Sequence, residues 1–210
     1  MTTVSEFLAP KFGTLSLGDI ATKGKARIAP LSVKGKAVKL ILSQTPTLKT
    51  PWQVSSYDGG DRCSLDLVLD DSLEKVCDKI DQAVLAAVSA SPERFFKNPP
   101  KDVESWYRPI KKAPSKEGYA STMRTKLTLP QDSAKKCSFR AWDEQKQPLS
   151  TEQLTEVDWP RASLGVMVRI VGVYFQAQSF GPMLEVENLL IKAEDTSCPF
   201  ASDDPFCLED

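Results

Sequence analysis

The sequence predicts a mainly β chain with one inserted helix, folded as a small Greek-key barrel, and three observations carry that expectation. Apolar and polar residues alternate through several short runs, the period of a half-buried strand. A single segment between the early and late runs instead repeats its apolar residues at three- and four-residue spacing, as an amphipathic helix does. The 210 residues, 41% hydrophobic and 26% charged, suffice for one sizeable core and not for several large domains.

Residues 1–24 show no sustained period, and 23–36 mix lysine with Gly, Ala and Pro. A flexible basic arm is expected there, leading into a domain over 25–192. In the first strand, Lys36 to Leu42, Val38, Leu40 and Leu42 share one face and Lys39 takes the other. Two prolines in 45–54 make that segment an edge strand or an irregular crossing, and Tyr57 to Asp61 reads as a turn. Cys63, Leu65, Leu67 and Leu69 then mark a second strand.

The helix is expected over about 71–91, its apolar stripe being Leu73, Val76, Cys77, Ile80, Val84, Ala87 and Val88. Asp71 is its expected cap, with Glu74 reaching back as in a capping box, and Pro92 marks its end. The Pro- and Lys-rich loop over 94–120 is too long and too aromatic for a mere connector. Residues 121–129 alternate again, with Thr122, Arg124, Lys126 and Thr128 opposite Met123, Leu127 and Leu129. Cys137 to Trp142 and the stretch near Leu149 are weaker strand or turn candidates.

The strongest β signal runs from Leu164 to Gln176, where Leu164, Val166, Val168, Ile170 and Tyr174 share a face opposite Met167, Arg169, Val171, Val173 and Phe175. Phe180-Gly181-Pro182 allows a turn, and Met183 to Ile191 returns as the hairpin partner. Residues 193–210 hold six acids and no base, so an acidic disordered tail is expected. Among small Greek-key barrels, the OB-fold best matches this size.

Composition narrows the chemistry. The chain contains no histidine, which removes Ser-His-Asp and Cys-His nucleophile pairs, histidine-ligated metals and the commonest general base. No enzyme and no cofactor is expected. Five cysteines form no C-x-x-C pair and read as reduced thiols, which points to an intracellular, reducing compartment. No run of eighteen apolar residues occurs, and the N-terminus lacks a basic region followed by an apolar one, so neither membrane association nor secretion is expected. Gly18 and Gly24-Lys25 miss phosphate-loop spacing, and Ala26 stands where Ser or Thr would hold magnesium. Carboxylates at Asp70-Asp71 and Asp78-Asp81 read as helix capping and a solvated helix face rather than a cation site.

The net charge of −1 hides strong segregation. Residues 1–60 carry eight Lys/Arg against three Asp/Glu, and 97–140 carry eleven against four. A single-strand binder needs cations that track a backbone and rings on which bases stack, and here the two are interleaved. Lys39 and Lys49 precede Trp52 and Tyr57; Trp106 and Tyr107 precede Arg108, Lys111 and Lys112; and Arg124 and Lys126 follow on the basic strand. Arg169 and Phe175, which share a face of the long strand, complete the candidate set. Each aromatic alone could equally belong to the core. In the tail, Phe200, Phe206 and Leu208 sit among acids that include Asp203 and Asp204, a composition suited to mimicking a nucleic-acid backbone or docking on partners.

These residues resemble a family. Gln44-Thr45-Pro46 with Pro51, the capped helix, Trp106-Tyr107-Arg108-Pro109-Ile110-Lys111, the strand from Met123 to Leu129, and Val171 to Phe175 with Phe180-Gly181 are similar to the single-stranded DNA-binding proteins of large DNA viruses of algae. The resemblance covers roughly 36–192 and extends, in strand order and acidic C-terminus, to bacteriophage single-stranded DNA-binding proteins with an OB-fold. It implies a barrel that coats single-stranded DNA during replication or recombination, in a nucleus or viral replication site, with a tail that contacts replication proteins. Tyr107-Arg108-Pro109 is the clearest shared motif. Two features depart from the pattern: the last residue is Asp210 rather than an aromatic, and Tyr174-Phe175 stands where a Trp-Phe pair is expected. A β-barrel adaptor in a virion or other assembly, and an RNA-binding OB-like protein, are the alternatives; the sequence leaves homo-oligomer formation open.

Overall fold

The computed structural model describes residues 1–23, 26–56, 59–114, 116–132 and 134–193. Five strands and one long helix organise it: β1 (Lys39–Leu48), β2 (Arg62–Val68), α1 (Asp71–Ala90), β3 (Thr122–Thr128), β4 (Ser163–Phe175) and β5 (Phe180–Lys192). Side by side the strands run β1-β4-β5-β3-β2. β4 is antiparallel to both β1 and β5, β2 and β3 form a seven-residue antiparallel ladder, and β3 meets β5 in parallel at Lys126 and Glu185. The far edges of the sheet approach where the Val68 amide donates to the Lys49 carbonyl at 2.9 Å. No continuous ladder closes the ring at this seam among the described residues. The expected mainly β architecture with an OB-like strand arrangement and one inserted helix is therefore present, as a barrel with an open seam.

Alternation explains the interior. Leu40 and Leu42 of β1, Leu65 and Leu67 of β2, Met123 and Leu127 of β3, and Leu164 to Ile170 at every second position of β4 are buried together. Against this core packs α1, with Leu73, Val76, Cys77, Ile80, Val84 and Val88 buried along one stripe. Its cap is Asp70 rather than Asp71: the Asp70 backbone is extended, and its carboxylate accepts from the Leu73 amide at 2.8 Å. Asp71 is already the first helical residue, so the carboxylate able to reach that amide comes from one position earlier. The helix stops at Ala90, just before Pro92.

Two further expectations are corrected. The N-terminal segment is no flexible arm, since Thr2–Thr3 pairs in parallel with β1 and Val4–Leu8 forms a helix closed by a Thr3–Glu6 capping box. Phe7 of that helix is fully buried, and the Lys79 ammonium donates to its carbonyl at 2.6 Å. In β4, the register shifts between Ile170 and Gly172, and the inserted residue reverses which side chains face inward. Val173 and Phe175 are buried beyond it, while Tyr174 is half-exposed. Gly172 is required at this bulge, because its φ is +152° and a Cβ would collide with the Ala29 carbonyl.

Candidate nucleic-acid interface

The register of β2 and β3 puts Arg62 opposite Thr128, Ser64 opposite Lys126, Asp66 opposite Arg124 and Val68 opposite Thr122. These residues alternate with the buried Cys63, Leu65, Leu67, Met123 and Leu127, and so face away from the core. Lys112 joins them, because the short strand Lys111–Lys112 pairs with β3 and places Lys112 beside Thr122. Beyond Thr128, whose carbonyl accepts from the Ser138 amide, the strand Arg140–Trp142 continues along β5 with Arg140 exposed beside Asn188. A row of cations thus borders β3 over more than its own length of about 20 Å.

Acids are built into the same surface. Arg124 forks onto Asp66 with contacts of 2.8 and 2.9 Å, and that carboxylate is only 10% exposed. Arg169 meets Glu185 at 2.6 Å and Glu187 at 3.6 Å, and Lys39 meets Glu187 at 2.8 Å. The cationic residues of β1 and β4 are thereby matched by β5 carboxylates, and the surface is a charge mosaic rather than a uniformly basic sheet. Lys126 is exposed, with its ammonium 6.0 Å from the Tyr174 ring centre. Beside it the Ser64 hydroxyl is buried with no hydrogen-bond partner, a potential donor in the middle of the face.

The segment after β1 edges this face. Lys49 is bonded to Val68 and Ser55 pairs with Ser64, so five residues, Thr50 to Val54, span a gap that only three fill on β2. The excess bulges outward and exposes Trp52 to 60%. The segment is held, since the buried Thr50 hydroxyl donates to the Trp52 carbonyl at 3.0 Å and the Gln53 side-chain amide donates to the Asp158 carboxylate at 3.0 Å. Lys49 donates to the Arg161 carbonyl at 3.2 Å. Tyr57 and the tail candidates Phe200, Asp203, Asp204, Phe206 and Leu208 lie outside the described residues.

Other candidates serve the core instead. Phe175, 3% exposed, stacks parallel to both Phe95 and Phe180, with ring centres 5.1 and 5.7 Å away, which corrects its placement as a base platform. The bulge at Gly172 is the physical reason, and the outward ring is Tyr174. Trp106 is half-buried edge-on to Phe96, and Tyr107 packs against Phe180. The Tyr107 hydroxyl donates to the Asp81 carboxylate at 2.5 Å, and the Ile110 amide reaches the same oxygen at 3.1 Å. Burial pushes the Asp81 carboxyl above its ordinary range against these hydrogen bonds, and burial beside Asp81 likewise raises the Tyr107 phenol. Lys111 turns to the helix, contacting Asp78 at 3.0 Å and Glu74 at 3.5 Å. Arg108 is exposed, with its guanidinium folded onto the Ser105 and Tyr107 carbonyls. The start of the long loop is an anchor wedged beside β5, where Gly181 leaves room for the Arg108 carbonyl.

Arg62, Arg140, Tyr119 and Tyr174 reach the surface without having been singled out. Alternation in 62–68 and 138–142 marks the two arginines, whereas nothing local signals the bulge that exposes Tyr174. Among the described residues no cluster of His, Cys, Asp or Glu could hold a metal ion.

No family model matches the chain, and no curated protein matches it. Among solved structures, it is similar to the single-stranded DNA-binding protein from bacteriophage Enc34, with 8% identity, a TM-score of 0.46, and coverage of 89% of this chain and 98% of that one. The same phage protein in complex with single-stranded DNA gives 14% identity, a TM-score of 0.43, and the same coverage of 89% and 98%. The gp2.5 single-stranded DNA-binding protein of bacteriophage T7 gives 12% identity and a TM-score of 0.42, covering 74% of this chain and 87% of that chain.

Proposed function

We propose that this chain is a non-enzymatic, sequence-tolerant single-stranded DNA-binding protein that acts in replication or recombination, as the viral family it resembles is expected to do. The observation that carries the reading is the outward face of β2 and β3. Lys112, Arg124, Lys126 and Arg62 lie along it, Tyr174 sits beside Lys126, and the Lys49–Trp52 segment forms its rim. In OB barrels, the second and third strands with the loop joining the first two are where oligonucleotides bind. Cations there follow phosphates and exposed rings accept any base, which gives affinity without sequence choice.

Titration of a labelled oligo(dT) at moderate salt, followed by anisotropy, tests the reading. Binding that weakens with salt and is similar for other base compositions supports it; absence of binding at low salt rejects it. Competition with oligo(U) separates DNA from RNA preference. The ion pairs at Arg124, Arg169 and Lys39 favour one second reading, an assembly adaptor that uses its charge mosaic to meet other proteins. Under that reading oligo(dT) does not bind. The acidic tail, in the proposed function, docks replication proteins and competes with DNA for the basic face.

A further inference from the structure

Two aromatic side chains stand far into solvent on separate loops, Trp52 at 60% and Tyr119 at 63% exposure. Both loops are fastened to one corner of the barrel by consecutive amides at the end of β2. Val68 donates to Lys49, three residues before Trp52, and Leu69 donates to Ser121, two residues after Tyr119, at 2.9 and 3.0 Å. Three residues extend at most about 10 Å, so both rings are confined to this corner. Tyr119 is carried by a hairpin, because Lys111–Lys112 pairs with Thr122 and Met123 and the chain between turns back. The Tyr119 amide donates to the Lys116 carbonyl in that turn, and Gly118 takes the positive φ of +88°. Cations accompany both rings: Lys49 precedes one, and Lys112 and Lys116 precede the other.

We propose that Trp52 and Tyr119 form a two-ring clamp that holds bases of a single strand where it leaves the β2–β3 face past Val68. The inference rests on the single-strand reading and adds a residue and a contact point to it. Neither ring fills the core, so their removal leaves the fold intact, unlike removal of Trp106 or Tyr107. Stacking requires the ring and not the hydroxyl, and it requires a base on the ligand.

The test uses the full chain with oligo(dT) and with an abasic oligonucleotide of equal length. Tyr119→Ala should weaken oligo(dT) binding roughly 5- to 150-fold, leave the weaker binding of the abasic strand unchanged, and leave Tm unchanged; Tyr119→Phe should bind as the unaltered chain does. Equal affinity of Tyr119→Ala and unaltered chain for oligo(dT), or an equal loss on both ligands, overturns the clamp. If Lys126→Ala weakens binding while Tyr119→Ala does not, the clamp falls and the single-strand reading stands. If the unaltered chain binds neither oligonucleotide, both fall together.

Discussion

One carboxylate oxygen of Asp81 accepts both the Tyr107 hydroxyl, at 2.5 Å, and the Ile110 amide, at 3.1 Å. A single atom on helix α1 thus fastens both ends of a four-residue turn, and with it the start of the long loop.

Burial raises the Asp81 pKa above the ordinary 3.8, so the folded chain binds this proton more readily than the unfolded one. The stability contributed by the protonated form is complete below the unfolded value and is lost as pH rises through the folded value. Asp81→Asn keeps an acceptor without a charge. It should match or exceed the unaltered Tm at pH 7 and remove Asp81's share of the pH dependence above about pH 4. Asp81→Ala orphans both donors and should lower stability by about 1–3 kcal/mol at pH 7, measured by denaturant melts.

Phe175→Ala should destabilise by about 3–5 kcal/mol, the usual range for deleting a buried ring. Oligonucleotide affinity of the folded fraction should stay within about twofold, a difference of about 0.4 kcal/mol. A stable variant with a large loss of affinity would restore Phe175 to the binding face.

Glu185→Gln with Glu187→Gln removes the carboxylates that pair with Arg169 and Lys39. Oligo(dT) affinity should rise, and the log-log salt slope should steepen by about 0.7 for each cation that now meets a phosphate. An unchanged slope would place the nucleic acid entirely on the β2–β3 side.

Lys126→Ala should lower affinity for every base composition and flatten the salt slope by about 0.7, read from anisotropy titrations at several ionic strengths. A loss confined to one base composition would argue for base reading instead.

Deleting residues 193–210 should raise single-strand affinity most at low ionic strength, because a tethered anionic segment competes at high effective concentration and is screened over roughly 8–10 Å near physiological salt. Equal affinities for full and shortened chains at low salt would remove the tail from the site.

Much of the barrel was legible because alternation records which side of a strand is dry. Cys63 to Leu67 and Met123 to Leu129 needed nothing more, and the helical stripe from Leu73 to Val88 was equally direct. The face of Tyr174 and Phe175 was not legible, because the bulge that reverses it is set by the neighbouring strand and the Ala29 carbonyl. The charge pattern along the chain is incomplete for a related reason. Arg124 and Asp66 are 58 residues apart in sequence, and only their pairing across β2 and β3 turns a basic strand into a mosaic. Trp106 and Tyr107 stand out as an aromatic pair beside cations, but the carboxylate that anchors Tyr107 lies on a helix 26 residues earlier. The Thr3–Glu6 capping box is legible in the sequence, but the five-residue helix it opens is too short to show a period.

The outer edges of β1 and β2 each end in a two-residue strand, Thr2–Thr3 on one side and Ser55–Ser56 on the other, with the Thr50–Val54 bulge and its proline beside the second. Each of these terminal strands offers a neighbouring molecule only two residues of backbone on which to continue the ladder. If the chain coats a single strand as proposed, these two short strands give neighbouring barrels little backbone through which to join their sheets, and the side chains and terminal segments are where contacts between copies are expected.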